Sequence, residues 1–285
     1  MILFTVPKPF KGKFAIIQEN AINSWLTIKP KPTIILLGNE FGIESFAKSK
    51  KIKHINNINK NSNGTPLLDD IFRLIQNSTK ERVFMYINSD IILMNSPHTL
   101  IDKLNTKFDR FLAIGRRSEM SIKSKISKDE IAHLLKKQTL KQKSNSWMDY
   151  FIFSKEVFNY IPPFALGRTF WDKWLVWNAI QNNIPTIDIT EGLFAIHQTH
   201  SYSLNRKTNT QTIWAGEEAL NNLILAKGWS QSATISDATF KLINGDLKPQ
   251  KKKNISLRPI LDYFPLFWPL LLEIRLLRER YSNHA

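Results

Sequence analysis

The chain has 285 residues and carries 40 Lys and Arg against 24 Asp and Glu, a formal charge of +16. With 42% hydrophobic and 22% charged residues it is composed as a globular protein of one to two domains, which excludes a disordered or fibrous chain. Cysteine is absent, so no disulfide, thiolate metal centre or cysteine nucleophile is possible, and any metal must be held by Asp, Glu, Asn, His or backbone oxygen.

Ile2 to Val6 reads as a strand, and Lys13 to Thr27 as a helix with Phe14, Ile17, Ala21 and Trp25 on one face. Thr33 to Leu37 is a buried-type strand closing at Gly38, followed by a helix over Ile43 to Ser49 and a short strand around His54 and Ile55. After the polar loop Asn56 to Gly64, Thr65 is placed to cap a helix with Pro66 in its first position and Leu67 to Asn77 as its body. Val83 to Ile87 is the next strand. This alternation predicts an α/β fold, a Rossmann-like three-layer α/β/α arrangement around a mainly parallel mixed sheet. Such sheets bind ligands beyond the carboxyl ends of their strands. Lys8, Asn39 with Glu40, and Asn88-Ser89-Asp90 all fall there.

Arg116 to Lys143 holds nine basic and three acidic residues, with a helix predicted over Asp129 to Lys137, and suits a flap or insertion beside the site. Strands follow at Tyr150 to Phe153, Thr186 to Ile189 and Phe194 to His197. A tail begins near Leu247 with four lysines between Lys248 and Lys253. Three prolines and several aromatics come next, then an amphipathic helix from Pro269 with Leu270, Leu271, Ile274, Leu277 and Tyr281 on one side. That helix suits docking on an anionic membrane, or packing against the domain or a second subunit. Ile255 to Leu277 is broken by charges and prolines, which argues against a spanning helix, and Ile2 to Val6 is too short for a secretory signal; the expectation is a cytoplasmic protein, peripheral at most on the inner face of the plasma membrane.

Asp90, at the end of an apolar strand, can ligate a divalent cation that bridges a diphosphate, and equally suits a turn cap. His197 and His200 lie three residues apart after a short strand and can supply nitrogen ligands, or serve as structural histidines. Asp172, between Trp171 and Trp174, suits a general base whose pKa is raised by desolvation, or a helix cap under an aromatic core. Asp149, before the strand at Tyr150, is open in the same way.

The runs GTPLLDDIFRLIQ (64–76), YINSDIIL (86–93), IGRR (114–117), DYFIF (149–153), IPPFALGRTFWDKWLVW (161–177) and HQTHSYS (197–203), in this order, resemble a family of bacterial and plant glycosyltransferase-like proteins of the GT-A, nucleotide-diphospho-sugar transferase superfamily. The resemblance covers residue 2 to about residue 229. It implies a GT-A-type domain over residues 1–246, with a nucleotide-binding half at 1–115 and an acceptor-binding half at 116–246, and a basic, helical tail at 247–285. It implies a nucleotide-diphosphate sugar as donor, Mn²⁺ or Mg²⁺ as cofactor, and a cell-envelope glycan or lipid-linked molecule as acceptor. Asp90 matches the second carboxylate of a D-x-D-like motif, with His197 or His200 as the distal metal ligand. Asn88 stands where the family has the first carboxylate, and supplies no negative charge. Asp172 matches the catalytic base and Asp149 is its catalytic neighbour. Lys8, Asp69, Asn88, Arg116 and Arg117 are the candidate donor contacts. Two other classes compete: a protein of this fold that binds nucleotide sugars or acts as a nucleotidyltransferase, motivated by Asn88, and a nucleic-acid-binding protein, motivated by the charge of +16.

Overall fold

The computed structural model describes residues 1–136, 140–200, 213–250 and 258–282, with 278–282 described by their backbone alone. Lys251 to Lys253 of the lysine run, Ser201 to Ser203 of the last motif, Lys137 and the side chain of Tyr281 lie outside the described residues.

Twelve strands are present among the described residues: β1 (Ile2–Thr5), β2 (Thr33–Leu37), β3 (Lys53–Ile55), β4 (Val83–Ile87), β5 (Ile91–Leu93), β6 (Leu112–Ile114), β7 (Ser118–Met120), β8 (Tyr150–Ser154), β9 (Thr186–Asp188), β10 (Ala195–Gln198), β11 (Phe240–Ile243) and β12 (Asp246–Pro249). Nine form one sheet in the order β12-β11-β9-β6-β8-β4-β1-β2-β3. Neighbours are parallel except where β8 runs against β4 and β6 and where β12 returns along β11.

Alternation along the strands builds the two outer layers, because successive side chains leave opposite faces of a strand. Ile2, Phe4, Phe84, Tyr86, Phe151 and Phe153 face α3 (Leu68–Asn77) and α6 (Trp171–Gln181). Leu3, Val83, Met85, Ile87, Tyr150 and Ile152 face α1 (Gly12–Leu26), α2 (Ile43–Lys50) and α4 (His98–Lys107). Covered on both sides, β4 reads as an unbroken apolar run and β1 and β8 as apolar runs closed by a single hydroxyl residue, Thr5 and Ser154. Phe72 of α3 stacks on Phe153 with ring centroids 5.2 Å apart and meets Phe4 edge-on at 5.4 Å, tying helix to sheet through ring geometry.

Two sequence expectations are corrected. Thr65 does not cap α3: the helix starts at Leu68 after an extended Leu67, whose neighbours bridge outward, Pro66 to Lys60 and Leu67 to Ala165. Pairing holds this stretch extended, and the fixed φ of Pro66 serves that shape as well as a first helical turn. The sheet also runs past residue 246, because β12 pairs with β11 from Phe240 opposite Pro249 to Ile243 opposite Asp246. Asn244 and Gly245 make the two-residue turn, both with positive φ, the pairing such hairpins favour.

A second sheet of three strands, in the order β5-β10-β7, lies beside the first. The basic segment folds over it: α5 (Lys128–Leu135), opened by a capping box between Ser127 and Glu130, packs Ile131 with Ile92, Met120, Ile122 and Ile196. At the C-terminal end, α7 (Glu217–Leu225), α8 (Arg258–Asp262) and α9 (Trp268–Ser282) close against the α6 side, with Leu272 of α9 buried on Phe170 and Leu223. Asp262 accepts hydrogen bonds from the backbone amides of Trp229 (2.6 Å) and Ser230 (3.0 Å). At Gly228, φ +109°, a β-carbon would fall on that carboxylate.

Because β8 runs antiparallel, its first residue lies level with the ends of β4 and β6: Tyr150 is opposite Ile87, and Phe151 opposite Ile114. One edge of the sheet therefore collects the segments carrying Lys8, Asn88 to Asp90, Arg116, Arg117 and Asp149.

Candidate metal and donor site

The chain turns tightly after β4, Ile91 donating to the Asn88 carbonyl at 3.1 Å, and Asp90 is delivered directly into β5. In the small sheet His197 of β10 stands opposite Ile91 on one side and opposite Glu119 of β7 on the other. That register puts Ile91, His197 and Glu119 in one row, with Asp90 one residue before it at the entry to β5. Nε2 of His197 is 3.5 Å and Nε2 of His200 is 2.9 Å from Oδ2 of Asp90. One ligand atom from each of Asp90, His197 and His200 lies within 4.8 Å of the others.

Burial pushes the Asp90 carboxyl up, but the charges and hydrogen bonds of His197 and His200 outweigh it and hold the group well below the usual carboxylate range. Conversely, burial and Arg117 push His197 down, while Asp90 and Glu119 outweigh them and raise it. Glu119, 3.6 Å from Nδ1 of His197, is drawn down to about 2 against the opposing effect of burial, by His197, Arg117 and Lys143. The site is thus built to stabilise positive charge at Asp90. A divalent cation fits it: the donor set is two imidazoles and a carboxylate, and Oδ1 of Asp90 is buried with no hydrogen-bond partner among the described residues. Glu119 stands behind His197 at ion-pair distance, where an outer carboxylate would orient the imidazole of a metal ligand, although Nδ1 makes no hydrogen bond among the described residues.

Around this cluster the backbone is clamped by two glutamines. Gln198 donates from its backbone amide (3.3 Å) and its side chain (3.2 Å) to the Asp90 carbonyl, and from the same side chain to the Ile17 carbonyl (2.8 Å). Gln18 of α1 accepts from the Lys8 amide (2.6 Å) and the Ser89 hydroxyl (3.0 Å), and donates to the Lys8 carbonyl (2.9 Å). The loops after β1 and β4 are thereby locked together.

Asn88 turns away from the cluster. Its Nδ2 donates to Oδ1 of Asp149 (2.7 Å), and its Oδ1 accepts from the Tyr86 hydroxyl (3.0 Å). A carboxylate here would face Asp149 with like charge, so the position requires a donor. The other oxygen of Asp149 accepts from Arg117 (2.5 Å), which is also paired with Glu119 (3.2 Å) and lies over the Trp147 ring at 4.8 Å. Two expectations change accordingly: Asp149 has both oxygens engaged in positioning Asn88 and Arg117, and Arg117 is buried and committed to two carboxylates of the chain.

Of the remaining donor candidates, Lys8 lies over the Phe14 ring at 4.7 Å with its pKa lowered, desolvation and the neighbouring cations outweighing Asp90. Nε of Arg116 and Oδ1 of Asp69 are buried polar atoms without a hydrogen-bond partner. Asp172 opens α6, with its pKa raised by desolvation and by Asp149, against the opposing charges of Lys173 and Arg275. Phe170, just before it, is held at φ 83°, a conformation costing a non-glycine residue on the order of 1–3 kcal/mol. Packing over-determines that strain: Phe170 meets Trp229 edge-on at 5.1 Å and the Arg275 guanidinium at 5.3 Å.

Sequence reasoning passed over Glu119, Gln18, Gln198 and Arg275. The short alternation Ser118-Glu119-Met120 is the only local sign of β7, and the two glutamines look like ordinary polar positions until both are found buried.

No family model and no curated protein matches the chain. Solved structures do. GalNAc-T7, crystallised with UDP, GalNAc and Mn²⁺, has a TM-score of 0.50 and 11% identity, over 81% of this chain and 49% of that one. Residues 1–349 of S. aureus TarS in complex with UDP-GlcNAc has a TM-score of 0.47 and 10% identity, over 79% of this chain and 66% of that one. The chain spans about half of GalNAc-T7 and just under two thirds of the TarS fragment. The fold is of the GT-A type, a mixed α/β sheet with the C-terminal helix added.

Removing Arg117 while leaving Asp149 buried should be costly. For Arg117→Met we expect a loss of about 3–5 kcal/mol in urea denaturation; an unchanged midpoint would show that Asp149 does not depend on this partner.

Proposed function

We propose that this protein is a glycosyltransferase that takes a sugar from a nucleotide-diphosphate donor and joins it to a hydroxyl of a cell-envelope glycan or lipid-linked acceptor. The observation that carries this reading is the Asp90–His197–His200 cluster, at the strand-end edge of a GT-A-type sheet where such folds receive ligands. The GalNAc-T7 structure, which contains UDP, GalNAc and Mn²⁺ on a fold of this type, supports it.

Asp90, His197 and His200 would hold a divalent cation. Two imidazoles among three protein ligands favour a transition ion such as Mn²⁺ over Mg²⁺, which prefers oxygen. When bound, the cation supplies positive charge to the donor diphosphate. Lys8 and Arg116 add charge-assisted hydrogen bonds to the diphosphate oxygens, and Asp69 offers an acceptor to the donor. Asn88, Asp149 and Arg117 keep the floor of the site in place. Asp172 accepts the proton of the acceptor hydroxyl as its oxygen bonds to the anomeric carbon and the nucleoside diphosphate departs. Desolvation is what makes Asp172 basic enough for this task. Among the described residues no helix is long and apolar enough to cross a membrane.

Thermal unfolding with a panel of nucleoside diphosphates and nucleotide sugars, with and without Mn²⁺, tests the donor assignment. A matching nucleotide at about 100 times its dissociation constant should add ~2.7 kcal/mol. The metal-dependent part should vanish in Asp90→Ala; an unchanged metal response there contradicts the ligand assignment. Once turnover is measurable, Asp172→Asn should lower kcat by about 100-fold or more while sparing donor binding. The base must be deprotonated and its pKa is raised, so wild-type activity should fall with pH already above the ordinary carboxylate range. Full turnover in Asp172→Asn removes it from the base role, and a nucleotide response without any turnover reassigns the protein to binding.

A further inference from the structure

The C-terminal helix has two apolar faces, of which only one is covered among the described residues. On its inner side Leu272 and Leu276 are buried, and Arg275 donates to the Thr169 hydroxyl at 3.0 Å while lying over the Phe170 and Trp214 rings, each at 5.3 Å. This anchors α9 beside Asp172, on the acceptor side of the site. On its outer side Phe267, Leu270, Ile274 and Leu277 recur at helical spacing and are exposed. The segment leading into the helix extends the same ridge: Leu266 is 91% and Tyr263 82% exposed, with Ile260 and Phe264 also open. Single exposed apolar residues need no explanation, but eight within 260–277 mark an interaction surface.

Charge decides between its candidate occupants. Residues 248–285 carry eight basic and three acidic residues, a net +5. Asp262 is turned inward onto the amides of Trp229 and Ser230, as are Arg275 onto Thr169 and Arg258 onto the Ser232 carbonyl, so the positive charge belongs to the segments that flank the ridge in sequence, Lys248 with Lys251 to Lys253 before it and Arg278 with Arg280 after it. A second copy of the chain on this ridge would bring like-charged segments together, because a two-fold interface matches a surface with itself. An anionic lipid surface offers the opposite charge, an apolar interior for Phe267, Leu270 and Leu266, and an interfacial level suited to Tyr263 and Trp268.

We propose that the ridge formed by residues 260–277 docks the protein on an anionic membrane surface, with the acceptor side of the site held next to the lipid. For the identity of the acceptor, a hydroxyl presented at the membrane on a lipid-linked carrier, this rests on the glycosyltransferase reading; the docking itself does not. The other face of the same helix supplies the geometry, since Arg275 and Leu272 join it to the segment that leads into Asp172.

Cosedimentation of the full chain with vesicles tests it, comparing phosphatidylcholine alone with phosphatidylcholine containing phosphatidylglycerol. The variant is Leu266→Glu with Phe267→Glu and Leu270→Glu, three exposed positions whose replacement leaves the core untouched; its retained thermal transition confirms folding. Binding should require phosphatidylglycerol, weaken at high salt, and fall by about tenfold or more in the variant. Equal binding of wild type and variant, equal binding to neutral vesicles, or no binding at all overturns the proposal. No binding together with a concentration-dependent dimer that the variant abolishes would assign the ridge to a second copy. The measurement uses neither donor nor metal, so its failure leaves the glycosyltransferase reading standing, and failure of the nucleotide response leaves this one standing.

Discussion

A carboxylate drawn partly out of water must be met by positive charge, and the site is organised around meeting that demand at Asp90, one oxygen of which is buried. An unpaired charge in a buried position is too costly to persist. Here the small sheet solves the problem by register: pairing β10 with β5 and β7 sets His197 between Asp90 and Glu119, and three further residues bring His200 onto the same oxygen. Two imidazoles hold the carboxyl ionised, and one oxygen of Asp90 is left without a protein partner. Gln198 on the Asp90 carbonyl and Gln18 between Lys8 and Ser89 hold the neighbouring backbone, and α5 covers the small sheet that carries His197.

The same logic accounts for Asn88, the sequence's departure from a paired-carboxylate motif. Position 88 looks toward Asp149, already charged and bound to Arg117. A second carboxylate would add repulsion, whereas an amide donates to Asp149 and accepts from Tyr86. The loss of a negative charge near the Asp90 cluster is thus offset by a network that joins β4, β8 and β7 and holds the loop carrying Asp90. Arg117, which in sequence is one of two adjacent arginines, proves to be the cation of that network.

Much of this was legible in the chain. Unbroken apolar runs at Val83 to Ile87 and Tyr150 to Phe153 announce strands covered on both faces, and their order announces the parallel sheet. Asp90, His197 and His200 could be singled out by residue type and by position after strands, and the fold brings them together. What local pattern could not carry was pairing over long separations. The three-residue strands β5 and β7 have too few alternations to register as strands, so Glu119 had no visible reason to face His197. The β11–β12 hairpin carries Asn244-Gly245 at its turn, yet β12 is short and mostly polar and reads as the start of a tail. Asp149 and Asp172 look alike in sequence; only the hydrogen bonds on one and the desolvation of the other separate a positioning carboxylate from a basic one.

The central claim is that Asp90, His197 and His200 together hold a cation that receives a nucleoside diphosphate. The most direct measurement is diffraction from crystals grown with Mn²⁺ and the nucleoside diphosphate that stabilises the protein, using the anomalous signal of manganese to locate the ion. The account predicts a single strong peak ligated by Asp90, His197 and His200, with diphosphate oxygens completing its coordination. A nucleotide bound with no peak at these three residues, or with manganese elsewhere, would contradict it.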